Sequence, residues 1–155
     1  MPADPPARRP WDIPPLWLAL AIAVMIALHL LLPLARLVPW PWSLAGAVPL
    51  VGGVLLAVWG ERHFERAGTA VRPFQPSSAL VEAGPFRFSR NPKYLGILLA
   101  LTGLWLLLGT LSPVAVVPAL FWLLHRRFVI PEEAHLERQF GARYDDYRRR
   151  VRRWL

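Results

Sequence analysis

Three stretches of the chain combine residue types that could grip and process a small polar ligand. The first, Leu80 to Gly96, reads LVEAGPFRFSRNPKYLG. Within it, Asn91-Pro92 is a helix start, with a capping side chain and then a proline at a position whose N–H would be unused. The free N–H groups and positive potential of such a terminus, with the guanidinium fork of Arg90 beside it, suit a carboxylate. Tyr94 and Gly96 fall on the first turns, one offering a ring and hydroxyl and the other room for close approach. The second stretch is Glu132-Glu133, directly after Pro131. It could hold an ammonium or a cationic cofactor, so the two stretches together complement an amino-acid moiety. The third groups Gly141, Tyr144, Tyr147 and Arg150.

Each stretch also has a purely structural interpretation. Gly84-Pro85 is a turn, Asn91 a cap, and Arg87, Arg90 and Lys93 interfacial anchors. Glu132 and Glu133 complement a helix dipole. The tyrosines belong to an apolar stripe, and nothing local distinguishes Arg150 from the other tail arginines.

Several chemistries are excluded or unsupported. With no cysteine in the chain, disulfides, a thiolate nucleophile, Cys-ligated zinc and iron–sulfur clusters are ruled out. Group transfer therefore goes directly from donor to acceptor or through another nucleophile. His29, His63, His125 and His135 show no metal-ligand spacing, and no metal is assigned; His29 is expected to pack or bond within the helices. No phosphate loop, nucleophile elbow or dinucleotide fingerprint is present.

The elements that must position these residues are apolar. Hydrophobic residues make up 55% of the 155 and charged residues 18%, too little polar surface to clothe a soluble core of this size. Lipid as the solvent resolves that imbalance. The net charge of +8 sits beside apolar blocks, not on a face interleaved with stacking aromatics, so anionic headgroups and not nucleic acid are the expected counter-charge.

Residues 1–12 form a Pro-rich lead expected to be disordered. Residues 13–34 are long enough to cross about 30 Å of hydrocarbon, and longer than the apolar core of a cleaved signal. Residues 39–42 make a stiff turn whose tryptophans suit the interface. Ser43 is a candidate cap for a second helix over 44–60, where Gly52 and Gly53 permit close packing or a kink. Residues 61–93, with Gly68, Pro73, Pro76, Gly84 and Pro85, are expected to be mostly irregular. Residues 94–111 form a third apolar block, 109–113 a tight turn, and 114–130 a fourth.

The fourth has a short uninterrupted run, 114–124, which spans only if His125, Arg126 and Arg127 reach to the interface; a shallow hairpin is the alternative. Beyond Pro131, the residues Leu136, Phe140, Tyr144, Tyr147, Val151 and Trp154 form one helical stripe, and Gly141 is a natural break. The expected fold is an all-α membrane bundle of about four spans with a C-terminal helical segment. Its parts are the lead (1–12), two N-terminal spans (13–60) and a core (61–155). Of the arginines and lysine, two precede the first block, six lie between Arg62 and Lys93 and nine follow from Arg126, with Arg36 alone in the first turn. That bias places both termini and the middle segment in the cytoplasm.

Taken in order, these stretches resemble the isoprenylcysteine carboxyl methyltransferases and the related phospholipid methyltransferases. The pattern Leu-Val-x-x-Gly-x-(aromatic)-x-(aromatic)-x-Arg-(His or Asn)-Pro-x-Tyr-x-Gly is Leu80 to Gly96 here. It is followed by Glu132-Glu133 with Leu136, by Phe140-Gly141 with Tyr144 and Tyr147, and by Arg150-Val151. His63-Phe64 and Ala67-Gly68-Thr69 are similar to bacterial members, and the likeness runs from about residue 61 to 154.

The resemblance implies a methyltransferase built of membrane helices, with S-adenosylmethionine (SAM) entering from the cytoplasm and a lipophilic or lipid acceptor from the bilayer. It implies that Leu80 and Val81 contact the cofactor through backbone, and that Arg90, Asn91, Pro92, Tyr94 and Gly96 shape its pocket. Glu132 and Glu133 would hold its polar end, and Tyr144, Tyr147 and Arg150 would close the site. Eukaryotic carboxyl methyltransferases have His at the positions of Asn91 and Ser78, which weakens the case for a prenylcysteine acceptor.

The expected reaction is in-line transfer of an activated methyl, in which the protein aligns the partners and excludes water. Arg150 could orient a carboxylate acceptor; for an amine or hydroxyl, Glu133 or a tyrosine such as Tyr147 is the candidate base. A small transporter would instead place ionisable residues inside the spans, whereas an accessory subunit would use its helices only as contact surfaces.

Overall fold

A computed structural model describes residues 13–66 and 79–155. The lead, the Ala67-Gly68-Thr69 motif, Pro73, Pro76 and Ser78 lie outside the described residues. Among the described residues six α-helices follow one another: α1 (Pro14–Leu31), α2 (Ala47–Arg66), α3 (Pro92–Leu108), α4 (Val116–Leu124), α5 (Ile130–Phe140) and α6 (Ala142–Arg150). Among the described residues there is no strand, only an isolated bridge between Arg36 and Thr110. The chain is an all-α membrane bundle.

Among the described residues three helical stretches are long and apolar enough to cross a bilayer: Pro14–Leu31, Trp42–Arg66 and Ser112–Phe140. Pro92–Leu108, at 17 residues, sits at the lower bound for a span. Leu20, Val24, Leu30, Val48, Leu55 and Trp122 point outward and exposed. In water such a belt would be prohibitive, but in lipid it is the expected surface. Trp40 and Trp42 are also exposed, at the end where α2 begins, as interfacial tryptophans should be.

The α2 and α3 pair is set by glycines. Gly46, Gly53 and Gly60 recur every seventh residue and face Gly103, Gly96 and the Pro92-Lys93 start of α3. A Cβ added at Gly53 would run into the backbone of Gly96 and Ala100, so the helices approach by backbone contact. Gly52 has open space beside it and takes no part in this packing. Ser43 does not cap α2: it lies in a 3-10 turn, Trp42–Gly46, and α2 continues to Arg66. Residues 61–66, expected to be irregular, are therefore helical, since Glu61-Arg62-His63 carries no helix breaker to stop the α2 pattern.

At the end away from the candidate site, Gly109 closes α3 with φ of +70°, a conformation glycine adopts without strain. Its carbonyl accepts the Leu37 N–H at 2.8 Å. His29 Nδ1 meets Thr110 Oγ1 at 2.9 Å, so this histidine is bonded within the bundle as expected.

The fourth block extends well beyond its uninterrupted apolar run. Residues Ser112–Phe140 form one continuous helical stretch, in which α4 passes into α5 through a π turn, His125–Val129. Pro131 explains the turn. It has no N–H to donate, and its ring would crowd the carbonyl four residues back. The wider turn, in which the Ile130 N–H reaches His125 O, absorbs the mismatch without a break. Met25, Leu101, Leu124, Phe128 and Val129, drawn from α1, α3, α4 and this turn, are buried together as the core of the bundle. Arg126 lies over the Trp122 ring and Arg127 over Trp17, so the first charges after the apolar run are carried on aromatic faces.

Gly141, with φ of +50°, separates α5 from α6 as its position in the stripe suggested. A second cluster forms below the bundle from Leu80, Phe86, Tyr144, Tyr147 and Val151, with Leu136 and Phe140 against it. Trp154 departs from the stripe. It lies beyond α6 and packs on Phe121 at 5.1 Å and His125 at 6.0 Å.

Candidate functional site

The sequence brings chain from three places to one end of the bundle: the turn into α3, the start of α5, and the residues after α6. Asn91 occupies the N-cap position of α3, yet its side chain makes no cap bond. Its Nδ2 instead donates to Glu133 Oε1 at 3.1 Å and to the Arg153 carbonyl at 3.1 Å. The capping expectation for Asn91 is thus corrected: a buried carboxylate is the stronger acceptor. Ser89 Oγ accepts the Asn91 N–H at 3.1 Å and donates to the Arg153 carbonyl at 3.3 Å.

Glu133 is the centre of this network. Its Oε2 accepts from Arg153 Nε at 3.0 Å and lies 2.9 Å from Arg153 Nη2. Arg90 Nη2 is 3.6 Å from Oε1, with the Arg90 and Glu133 side chains only 11% and 10% exposed. A carboxylate this deep is tolerable only when paired and hydrogen-bonded, and this one has a guanidinium on each side. Glu132, its neighbour, takes a different partner: Tyr94 donates to Glu132 Oε1 at 2.7 Å.

Not every expected residue joins the cluster. Arg150 Nη2 donates to Glu82 Oε2 at 2.8 Å, and Arg143 Nε to Glu82 Oε1 at 3.3 Å; both arginines are largely solvent-exposed. Tyr147 donates to the Phe86 carbonyl at 2.7 Å, which locks α6 onto the 3-10 turn Gly84–Arg87. Leu80 is buried with Tyr144 and Tyr147, and Val81 packs beside them. Pro92 is buried at the start of α3. The space left by Gly96 is taken by Gly53 and Ala57 of α2.

Burial raises the Tyr144 hydroxyl to about 12, with the Glu133 charge adding to the rise and Arg90 opposing it. Tyr147 is pushed up in the same direction, by burial first and then by Tyr144. Both hydroxyls are therefore protonated at neutral pH. The Tyr144 hydroxyl and Arg90 Nε are buried without a hydrogen bond of good geometry. Among the described residues no three His, Asp or Glu side chains converge as a metal would require.

A family model described as phospholipid methyltransferase matches residues 42–143, about two thirds of the chain. The chain belongs to the phospholipid methyltransferase family. A curated relative, protein-S-isoprenylcysteine O-methyltransferase of Schizosaccharomyces pombe, is 31% identical over 72 residues, covering 46% of this chain and 30% of the relative. The chain thus matches under a third of that relative's length. No solved structure matches. The family match ends at residue 143, so Tyr144, Tyr147 and Arg150 lie just beyond it.

Ser89, Glu82 and Arg153 carry much of the network and were not singled out from sequence. Ser89 stands inside the Leu80 to Gly96 motif and could have been suspected. Arg153 is one of five arginines among residues 148–153, and no local signal separates it from the rest.

Proposed function

We propose that this family member transfers a methyl group from SAM to a lipophilic acceptor that reaches the site from the bilayer. The observation that carries this is the contact of Asn91 with Glu133, which joins two motifs remote in sequence at the end of a membrane bundle. SAM, when bound, supplies a methyl already activated on its sulfonium. The residues fit such a donor: a cluster of mixed charge suits its amino-acid end, and two buried polar atoms, Arg90 Nε and Tyr144 Oη, have no hydrogen bond of good geometry.

In this proposal the polar end of the donor lies against Arg90, Asn91 and Glu133, with Glu132 and Tyr94 beside it. Leu80 and Val81 offer backbone and apolar surface, and Pro92 and Gly96 fix the start of α3 against α2. Tyr144 and Tyr147, protonated at neutral pH, are walls and hydrogen-bond donors, and Arg150 braces the Leu80 stretch through Glu82. Both Glu133 oxygens are taken, one by Asn91 and one by Arg153; that favours an acceptor needing no deprotonation, such as a carboxylate. The protein's contribution is alignment of the partners and exclusion of water. The arginine distribution supports both termini facing the cytoplasm, and the likeness of His63-Phe64 to bacterial members supports a bacterial inner membrane.

The test is incubation of the detergent-solubilised protein with methyl-labelled SAM and a membrane lipid extract, followed by mass spectrometry of labelled lipids. Label on a discrete lipid supports the proposal. Absence of both label and calorimetric SAM binding would leave a membrane subunit without methyl-transfer activity.

A further inference from the structure

The five residues after α6 form an extended strap that crosses the turn into α3. Its backbone is held at two carbonyls: the Arg90 N–H donates to the Arg152 carbonyl at 3.0 Å, and Asn91 Nδ2 and Ser89 Oγ both donate to the Arg153 carbonyl. Val151 is buried with the tyrosines at one end. At the other, Trp154 packs on Phe121 and His125. A segment fastened by backbone bonds in its middle and apolar anchors at both ends forms a wall beside the site.

The strap changes the charge of the site. Glu133 brings one negative charge, and Arg90 and Arg153 bring two positive ones, all within a single network. The carboxylate is occupied by Asn91 and both guanidiniums, so it has little capacity left for an ammonium. Its evident role is to set the two cations in place. The network keeps one net positive charge, and Arg90 Nε and the Tyr144 hydroxyl, which interact with each other's side chains, are buried there without a hydrogen bond of good geometry.

We propose that Arg153 is a positioning residue of the site, and that the arginine pair set by Glu133 recognises a carboxylate, the α-carboxylate of the methyl donor. This rests on the methyl-transfer function proposed above.

The experiment measures binding of S-adenosylhomocysteine (SAH) and of decarboxylated SAH, which differ only in the carboxylate, by calorimetry in detergent, to wild type, Arg153→Ala, Arg153→Lys and Arg149→Ala. Wild type should favour SAH by about tenfold or more, the value of one charge-assisted hydrogen bond. Arg153→Ala should lose that preference while still binding the decarboxylated ligand. Arg153→Lys should recover part of it, and Arg149→Ala, altered at an exposed pair with Asp146, should match wild type. Equal affinity of wild type for the two ligands overturns the proposal. So does a parallel loss of both ligands in Arg153→Ala, which marks a merely structural arginine, and so does displacement of SAH by laurate, which assigns the carboxylate site to an acceptor. Failure of wild type to bind either ligand defeats the methyl-transfer function itself, and this inference with it.

Discussion

Asn91 and Glu133, 42 residues apart, meet through a 3.1 Å hydrogen bond in which the amide donates and the carboxylate accepts. The same amide also holds the Arg153 carbonyl, so one side chain ties α3, α5 and the C-terminal strap together. Replacing it with a similarly sized apolar residue leaves two buried acceptors short of a donor. Asn91→Leu should cost about 2 kcal/mol, read as a lowered unfolding midpoint in detergent. A midpoint equal to wild type would show that the junction contributes nothing to stability.

Glu133→Gln keeps the shape of the side chain but removes the charge that separates Arg90 from Arg153. Two guanidiniums then face each other in a poorly solvated site. SAM affinity should fall by at least about tenfold, since the site's charged hydrogen bonds are each worth roughly 1.5–3 kcal/mol. Arg90→Ala should fall similarly. Unchanged calorimetric affinity in both variants would remove this cluster from the donor site.

Gly52 and Gly53 are adjacent, but their surroundings differ. Gly53→Ala places a methyl against the backbone of Gly96 and Ala100 and should destabilise by about 1–3 kcal/mol through overpacking. Gly52→Ala meets open space and should be neutral or stabilising by up to about 1 kcal/mol, from helix propensity. Unfolding of the two variants side by side in one detergent checks the contrast, and equal effects would mean that α2 does not pack on α3 through Gly53.

Tyr144 titrates at about 12 in the folded chain against about 10 when unfolded. A raised pKa in the folded state means that the contribution to stability is complete below pH 10. It is lost as the pH climbs toward 12, because the unfolded phenol sheds its proton first. Tyr147 acts in the same direction. Stability should be insensitive to these tyrosines up to about pH 9 and decline above pH 10. Tyr144→Phe should show a shallower decline. Identical pH profiles for wild type and Tyr144→Phe would contradict the environment assigned to this residue.

Much of this architecture was legible in the sequence because the signals that build it are local. Apolar blocks of span length gave the helices, the stripe from Leu136 to Val151 gave the face that α6 buries, and Gly141 marked the break before it. Asn91-Pro92 correctly announced the start of α3. What that asparagine bonds was not legible, because Glu133 and Arg153 reach it only through the tertiary fold. Gly52 and Gly53 are indistinguishable in a one-dimensional pattern; only the rotation of α2 selects one. Arg150 and Arg153 look alike on paper, yet one faces Glu82 near solvent and the other faces Glu133. Their difference arises where α6 ends at Arg150 and extended chain takes over. The continuity of the fourth block was obscured by Pro131, ordinarily a sign of interruption.

The wide turn that accommodates Pro131 also fixes an angle. Each residue advances an α-helix by about 100°, so the additional residue in His125–Val129 resets the azimuth of everything that follows. Winding the same residues as regular α-helix would swing Glu133 about a quarter-turn around the axis, away from Asn91, with scarcely any change in apolar length. The reach of this helix through lipid and the bearing of its carboxylates are thus separate variables, and a single irregular turn sets the second while scarcely altering the first.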